Sequence, residues 1–468
     1  MKIKNICCIG AGYVGGPTMA VIALKCPEIK VTVVDLNEDR ILAWNGPLEN
    51  LPIYEPGLEK VVKETRGKNL FFSKEVDQAI DEAEMIFISV NTPTKTYGEG
   101  KGYASDLTYV EKCSRQIAKI STSDKIIVEK STLPVRTAEK IREVVKSVNS
   151  SLNFEVLSNP EFLAEGSAIN DLLNTDRVLI GGDLTSSGQI AVDSLSKIYQ
   201  NWVPIEKIIK TNIWSSELSK LAANAILAQR VSSINSLSAL CESTGADIEE
   251  VSFAVGMDSR IGNKFLKASI GFGGSCFKKD ILNLVYLCNF FGLGEVADYW
   301  ESVVKINDYQ KIRFTNRIIE KSGGTVNRKK ITLLGWSFKA NTNDSRETAA
   351  IDVTIKLLEE GAEVSIYDPK VKKNQIILDI QNKLKSIDMP LDKIKDFLRR
   401  VEVHESIINS ISSTFGIVII TEWDEFKKLR WESFFNIVNR PANIFDGRNI
   451  LESEAIKKTG FNYYSIGR

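Results

Sequence analysis

The segment Gly271-Phe272-Gly273-Gly274-Ser275-Cys276-Phe277-Lys278-Lys279-Asp280 ends a glycine-rich loop on a thiol. An apolar helix pattern follows through Ile281, Leu284, Val285, Leu287 and Cys288. A cysteine at a helix N-terminus with lysines beside it is biased toward thiolate, the nucleophilic form. Asp280 falls one turn later on the same face, and the glycines let backbone approach a ligand. The alternative is a structural thiol beside a tight turn. The seven cysteines are Cys7, Cys8, Cys26, Cys113, Cys241, Cys276 and Cys288, with no CxxC spacing. Neither a disulfide framework nor a zinc ribbon is indicated. Reduced thiols fit a cytoplasmic protein, and most of the others read as small buried apolar groups. His404 is the single histidine, which excludes metal sites built on several histidines; no metal is expected. His404 lies in the charged stretch 399–405 and reads as surface. Chemistry therefore falls to Cys, Lys, Asp, Glu or a cofactor.

A second motif supplies the cofactor. The apolar run 6–9 leads into Gly10-Ala11-Gly12-Tyr13-Val14-Gly15 and then an apolar helix pattern. This is G-x-G-x-x-G after a strand. Gly10 allows the turn, Gly12 admits a pyrophosphate, and Gly15 lets helix and strand pack closely. The helix N-terminus offers unpaired N–H groups to the phosphates. Asp35 ends the next apolar run, where a carboxylate binds both ribose hydroxyls and repels a 2′-phosphate, so NAD is expected over NADP.

Three further groups are candidates. Lys220 and Asn224 stand four apart on a helix among Leu221, Ala222, Ala223 and Ala225. A buried lysine there would stabilise an oxyanion, whereas a solvated pair would do nothing. Glu161 and Glu165, in Asn159-Pro160-Glu161-Phe162-Leu163-Ala164-Glu165-Gly166, follow an apolar run and suit a general acid or base; a charged helix start is the equal alternative. Ser89-Val90-Asn91-Thr92-Pro93-Thr94 and Ser131-Thr132 close two further apolar runs, where ligands of open α/β sheets sit and where hydroxyl-capped turns are also common.

Positioning these residues requires several elements. Apolar runs at 6–9, 31–35, 70–72, 85–90, 126–128, 154–157 and 178–180 alternate with amphipathic stretches, which predicts a doubly wound parallel sheet. From residue 211 an apolar helical spacing runs for some thirty residues without Pro or Gly, too long for one small domain and suited to a connector or oligomer contact. Strands are expected again at 330–334, 363–368, 417–421 and 443–446, with a helix over 348–360. Residues 374–401 are charge-rich and weakly patterned and read as an insertion. The expected architecture is α/β: two Rossmann-like doubly wound domains, 1–210 and 325–468, joined by a long central helix and a helical middle domain, 211–324. Sixty Lys and Arg balance sixty Asp and Glu, which argues against nucleic acid or an anionic membrane as partner. No apolar run approaches a transmembrane length, and residues 1–9 lack the pattern of a signal peptide.

The motifs in this order resemble the UDP-glucose 6-dehydrogenases of the UDP-glucose/GDP-mannose dehydrogenase family. The likeness rests on GAGYVGG from Gly10, VNTPT from Val90, NPEFLAEG from Asn159, SKLAANA from Ser219, GFGGSCFKKD from Gly271, Lys339 with Asp344-Ser345-Arg346-Glu347, and FDGR ending at Arg448. YEPGL from Tyr54, RIGNKFLKAS from Arg260 and TEWDEF from Thr421 resemble the animal-type branch. The resemblance implies four-electron oxidation of the C6 alcohol of UDP-glucose, with two NAD and one water consumed, through a thiohemiacetal and a thioester on Cys276. Lys220 would stabilise the oxyanion with Asn224 beside it. Asp280, through water with Thr132, would help proton transfer, and Glu161 would be the acid/base for thioester hydrolysis. NAD contacts are implied for Gly10, Gly12, Tyr13, Val14, Gly15, Asp35, Arg40, Val90, Asn91, Thr92, Thr94, Ser131, Thr132, Glu165, Lys279 and Arg346. UDP-sugar contacts are implied for Glu161, Phe162, Leu163, Lys220, Asn224, Arg260, Lys267, Phe272, Gly273, Phe338, Lys339 and Arg448. A homo-oligomer, a hexamer built from dimers, is also implied. The second α/β series lacks GxGxxG, consistent with a nucleotide sugar rather than a second NAD, and residues 340–343 depart from the more charged sequence usual there. The alternatives are a dehydrogenase of GDP-mannose or UDP-N-acetyl-mannosamine, and a non-catalytic NAD-binding scaffold.

Overall fold

Short, continuously apolar runs become strands wherever both of their faces find a helix to pack on. In the computed structural model, which describes residues 2–131 and 134–468, the first eight strands are β1 (Asn5–Ile9), β2 (Lys30–Val34), β3 (Leu70–Ser73), β4 (Met85–Ile88), β5 (Lys125–Glu129), β6 (Phe154–Ser158), β7 (Val178–Gly182) and β8 (Ile208–Asn212). They form one sheet in the order β3-β2-β1-β4-β5-β6-β7-β8. All neighbours are parallel except β6 and β7, which meet antiparallel at Ser158 and Gly181. Alternate residues feed two cores: Ile6, Cys8, Val31 and Val33 on one face, Cys7, Ile9, Val34, Ile86 and Ile88 on the other. The first six strands follow the Rossmann order, whose direction reverses between β1 and β4 and leaves a crevice at their carboxyl ends.

The remaining six strands are β9 (Lys330–Leu334), β10 (Glu363–Tyr367), β11 (Val401–His404), β12 (Gly416–Ile419), β13 (Asn443–Asp446) and β14 (Asn462–Ser465). Their order, β11-β10-β9-β12-β13-β14, repeats the same pattern. The chain packs as two compact units. One holds residues up to Ala223 together with Leu282–Leu293, and the other holds Asn224–Ile281 with Gly294–Arg468. The 32-residue helix Ile213–Thr244 carries the chain from one to the other.

The expected strands all form, and β8, β11 and β14 are additions. Each is the outermost strand at one edge of its sheet, and β8 and β11 carry exposed polar residues that break an apolar run. The segment 374–401 is not an insertion. It forms helices Lys373–Ser386 and Leu391–Arg399, which bury Ile376, Ile380, Leu384, Ile394 and Phe397 in the second core. Ile376, Ile380 and Leu384 are four apart, so a single narrow stripe does the packing while charges cover the rest. His404, expected at the surface, lies in β11 with its side chain 14% exposed. Burial lowers its pKa, opposed by Glu402. We predict that Ile380→Ala costs about 2–5 kcal/mol of stability in urea unfolding; a change below about 0.5 kcal/mol, as at a surface position, would restore the insertion reading.

Candidate active site

In the first unit the cofactor residues collect at the carboxyl ends of β1, β2, β4 and β5. Gly10 takes φ +112°, and a Cβ there would lie 2.3 Å from the Ser89 carbonyl oxygen. The turn from β1 is thus pressed directly against the end of β4, as the crevice requires. A Cβ on Gly12 would meet nothing within 4 Å, so the backbone at the mouth of helix Gly15–Lys25 is open to a phosphate. The Asp35 carboxylate accepts the Ala11 and Asn37 N–H groups, each at 2.9 Å, and pairs with Arg40 at 3.0 Å. Tyr13 packs on the first core. Val90 is joined to Ser131, whose hydroxyl donates to the Val90 carbonyl at 2.7 Å; this places Asn91, Thr92 and Thr94 in the segment beside it. These groups fit a dinucleotide: a glycine turn, an open helix N-terminus and a carboxylate at the ribose position. Thr132 lies outside the described residues.

The start of the long helix docks on the same sheet edge. Gly181 makes this possible, since a Cβ there would lie 2.4 Å from Ser216 Cβ. Ser216 donates to the Ser158 hydroxyl at 3.0 Å at the end of β6. Glu217 accepts the N–H groups of Arg136 at 2.6 Å and Ala138 at 2.8 Å. One turn on, Lys220 Nζ reaches Glu161 Oε2 at 3.2 Å, with both side chains 5% exposed. The solvated reading of Lys220 is thereby excluded, and Glu161 does not open a charged helix. It lies outside any helix or strand, with Phe162 flanked by Lys220, 5.5 Å from the ring centre, and Arg177, 3.8 Å from it. Glu55, from the YEPGL segment, accepts the Gly166 N–H at 2.7 Å and the Ala168 N–H at 3.2 Å, anchoring the far end of the turn that carries Leu163 and Glu165.

The second unit gathers another set. Cys276 immediately precedes helix Phe277–Phe290, and its carbonyl accepts the Asp280 N–H at 2.8 Å. Asp280, 1% exposed, accepts a 2.6 Å hydrogen bond from Asn224 Nδ2. Asn224 thus serves Asp280, a link invisible in sequence. Lys278 is paired with Glu347 at 3.1 Å, so its charge is not devoted to the thiol as the sequence suggested; Lys279 lies 3.9 Å from Asp280. The glycine loop sits on Phe338 and on the segment ending at Glu347: a Cβ on Gly273 would lie 2.6 Å from the Glu347 carbonyl oxygen and 3.0 Å from Phe338 Cβ, and the Gly274 N–H bonds the Arg346 carbonyl at 2.8 Å. Phe272 packs edge-on against Phe277. Lys339 Nζ lies 5.6 Å over the Phe338 ring. Arg448 bonds the carbonyls of Ile420 at 2.6 Å and Phe338 at 2.8 Å, which makes it a brace for this corner. Arg346 is held by Asp344 at 2.6 Å. Arg260, 86% exposed in its side chain, pairs with Asp258 and stands apart, and Lys267 is exposed. No cluster of His, Cys, Asp and Glu suited to a metal occurs among the described residues.

Residues 4–203 match the NAD binding domain of the UDP-glucose/GDP-mannose dehydrogenase family, 214–309 its central domain and 332–453 its UDP binding domain. The chain belongs to this family. It is 57% identical to UDP-glucose 6-dehydrogenase 4 of Arabidopsis thaliana, over 99% of this chain and 97% of the relative. It is also 57% identical to UDP-glucose 6-dehydrogenase of Rattus norvegicus, over 100% and 94%. The solved UDP-glucose dehydrogenase of Pyrobaculum islandicum is 28% identical, with a TM-score of 0.81 over 99% of this chain and 98% of that one. As a member of the family the chain is an NAD-dependent oxidoreductase with two Rossmann-type domains.

Several residues beside this candidate site give no clear signal in sequence. Glu55 was visible only as part of YEPGL. Lys130, Asn159 and Tyr199 form a buried polar cluster behind Glu161. Glu129 is fully buried beside Glu217. Burial first, and the neighbouring carboxylate second, push its pKa well up. Nothing in the local pattern around 129 signals a partner 88 positions away; only the docking of the long helix creates it.

Two predictions follow from this geometry. Asp35→Ser should lower the NAD/NADP preference by about ten- to a hundredfold, the worth of charged hydrogen bonds, in initial rates with either dinucleotide; an unchanged ratio would show that Asp35 does not read the ribose. A carboxyl whose folded-state pKa lies above its unfolded value near 4.3 weighs against the fold as pH rises from there toward the folded value. Glu129→Gln removes that slope, so its melting temperature relative to the parent should rise as pH climbs from about 5. A relative fall would contradict a raised pKa at Glu129.

Proposed function

We propose that this protein oxidises UDP-glucose to UDP-glucuronate with two NAD and one water. The buried Lys220–Glu161 pair at the edge of the NAD-binding sheet is the observation that carries the reading, because a binding module has no use for it. Gly10, Gly12, Tyr13, Val14, Gly15, Asp35, Arg40, Val90, Asn91, Thr92, Thr94, Ser131, Thr132, Glu165, Lys279 and Arg346 would hold the dinucleotide. NAD bound there would supply the oxidant, one NAD for each of the two hydrides. Phe162, Leu163, Phe272, Gly273, Phe338, Lys339 and Arg448, with Arg260 and Lys267, are assigned to the UDP-sugar.

Oxidation of an alcohol to an acid removes two hydrides, and the second must leave a tetrahedral carbon. Addition of the Cys276 thiolate to the aldehyde carbon provides it. The resulting thiohemiacetal becomes a thioester on losing hydride, and water then releases the acid and the thiol. Lys220 would neutralise the oxyanion formed at each addition. Asp280, oriented by Asn224, would accept a proton, with Thr132 as its partner through water. Glu161 would take the proton of the hydrolytic water.

Three domains, 1–210, 211–324 and 325–468, are proposed as functional divisions. A homo-oligomer, with a hexamer built from dimers as its finer form, is proposed on the exposed Leu237, Leu240, Tyr299, Tyr309 and Ile312 of the two longest helices. The absence of disulfides among the seven cysteines supports a cytoplasmic setting, and no helix among the described residues is long and apolar enough to cross a membrane.

Two measurements test the reading. An NADH-forming assay across a panel of UDP- and GDP-sugars should respond to UDP-glucose; a response to GDP-mannose or UDP-N-acetyl-mannosamine alone would replace the substrate. Cys276→Ser should lose uronate production by orders of magnitude while binding survives, since serine is a poor nucleophile without a base. Near-normal uronate formation would remove the thioester.

A further inference from the structure

Lys130 follows the last residue of β5 and is 4% exposed. Its ammonium donates to Asn159 Oδ1 at 3.1 Å and to the Tyr199 hydroxyl at 3.3 Å. Tyr199 in turn donates to Asn159 Oδ1 at 2.7 Å, and Asn159 Nδ2 donates to the Leu179 carbonyl at 2.8 Å. Among the described residues no carboxylate stands within ion-pair distance of Lys130. Burying a cation on neutral partners alone costs several kcal/mol, so a further role is called for. An ammonium carries three N–H bonds, and these two acceptors take two of them.

A cavity of about 40 Å³ supplies the setting. Lys130, Asn159, Glu161, Phe162, Arg177 and Tyr199 are among its lining residues. At about 10–15 Å³ per water it has room for more than one, with the polar partners that buried water requires. Its wall includes Glu161, the carboxylate assigned to the water-consuming step.

We propose that Lys130 is a positioning residue for thioester hydrolysis: through a water held in this cavity it orients the Glu161 carboxylate. The inference rests on the thioester reading above. In the hydrolysis itself a water oxygen bonds to the thioester carbon and one of its protons passes to the Glu161 carboxylate so oriented. The C–S bond breaks and the thiolate leaves with the electron pair. The second water proton is lost to solvent as the product ionises to carboxylate.

The charges around Lys130 set a pH signature. Burial pushes its pKa down to about 8; Glu161 opposes this and Lys220 reinforces it. Cys8 of β1 is uncharged, since burial pushes its thiol up to about 12. Asp171 and Arg177 are the remaining charged groups on the cavity wall, and Glu129 is occupied with Glu217. Lys130 therefore loses its proton, and its hold on the water, as pH rises through about 8.

The test is rapid mixing of the full-length protein with UDP-glucose and excess NAD. NADH and intact-protein mass are read in parallel, for the parent and for Lys130→Met. The variant should form two NADH per site in a burst, then stall about tenfold or more below the parental steady state, with the acyl adduct accumulating on Cys276. The decay of that adduct in the parent should fall above about pH 8, and this alkaline limb should vanish in the variant. Adduct decay at the parental rate, or loss of both hydride steps without an adduct, overturns the proposal. Should Lys130→Met fail to fold, the parental alkaline limb and slower decay in Tyr199→Phe decide instead; absence of either overturns it. A parent that never forms an adduct, together with an active Cys276→Ser, sinks the thioester reading itself and is recognised by that pair of results.

Discussion

The arrangement of the first unit depends on one ion pair, Lys220 with Glu161, held at 3.2 Å almost out of solvent. Removing two such charges from water costs several kcal/mol each, and their attraction offsets this only where geometry is tightly held. The fold supplies that geometry at three successive points on one helix. Ser216 bonds the end of β6, Glu217 receives N–H groups from the segment after β5, and Lys220 meets the turn after β6. A glycine at 181 is the steric condition for all three, because any side chain there would displace the helix. Chemistry at the sheet edge is therefore bound up with how the long helix begins.

The two sheets share a strand order and differ in what their first loops can accept. After β1 the loop leaves Gly12 open and sets Asp35 beside Arg40. After β9 the corresponding acid is Asp368, and its carboxylate is already filled. It accepts the N–H groups of Trp336, Ser337, Lys370 and Val371 and the indole of Trp423. A carboxylate so engaged has no lone pair to spare for a ribose. One topology thus serves as an NAD binding domain and again as a UDP binding domain, with the difference written into a few hydrogen bonds.

Much of this was legible before any coordinates. Strands buried on both faces are announced by continuous apolar runs, because nothing polar can be tolerated on either side, and each such run forms a strand. Edge strands lack that requirement; β8, with exposed Ile209 and Lys210, and β11, with Glu402 exposed, look like loops for that reason. The 374–401 stretch reads as an insertion in sequence because only one narrow stripe of each helix is buried, and the surrounding charges mask it.

Residue types that must do chemistry declare themselves locally. Gly10, Gly12, Gly15 and Asp35 form a motif because one turn of backbone has to meet one pyrophosphate and one ribose. Cys276 stands out because a glycine loop and a helix start meet at a thiol. The sequence by itself determined these features, together with both Rossmann series and the family. Tertiary structure alone decided which partners the groups have. Lys220 is joined to a carboxylate 59 positions away and Asn224 to one 56 positions away. Lys278 is drawn off to Glu347, and Lys130 is set behind Glu161 on a tyrosine 69 positions away. Local pattern encodes which side chains a segment presents and on which face. Charge pairing across such separations depends on where the sheet order and helix docking place each strand end, and no short window of sequence contains that.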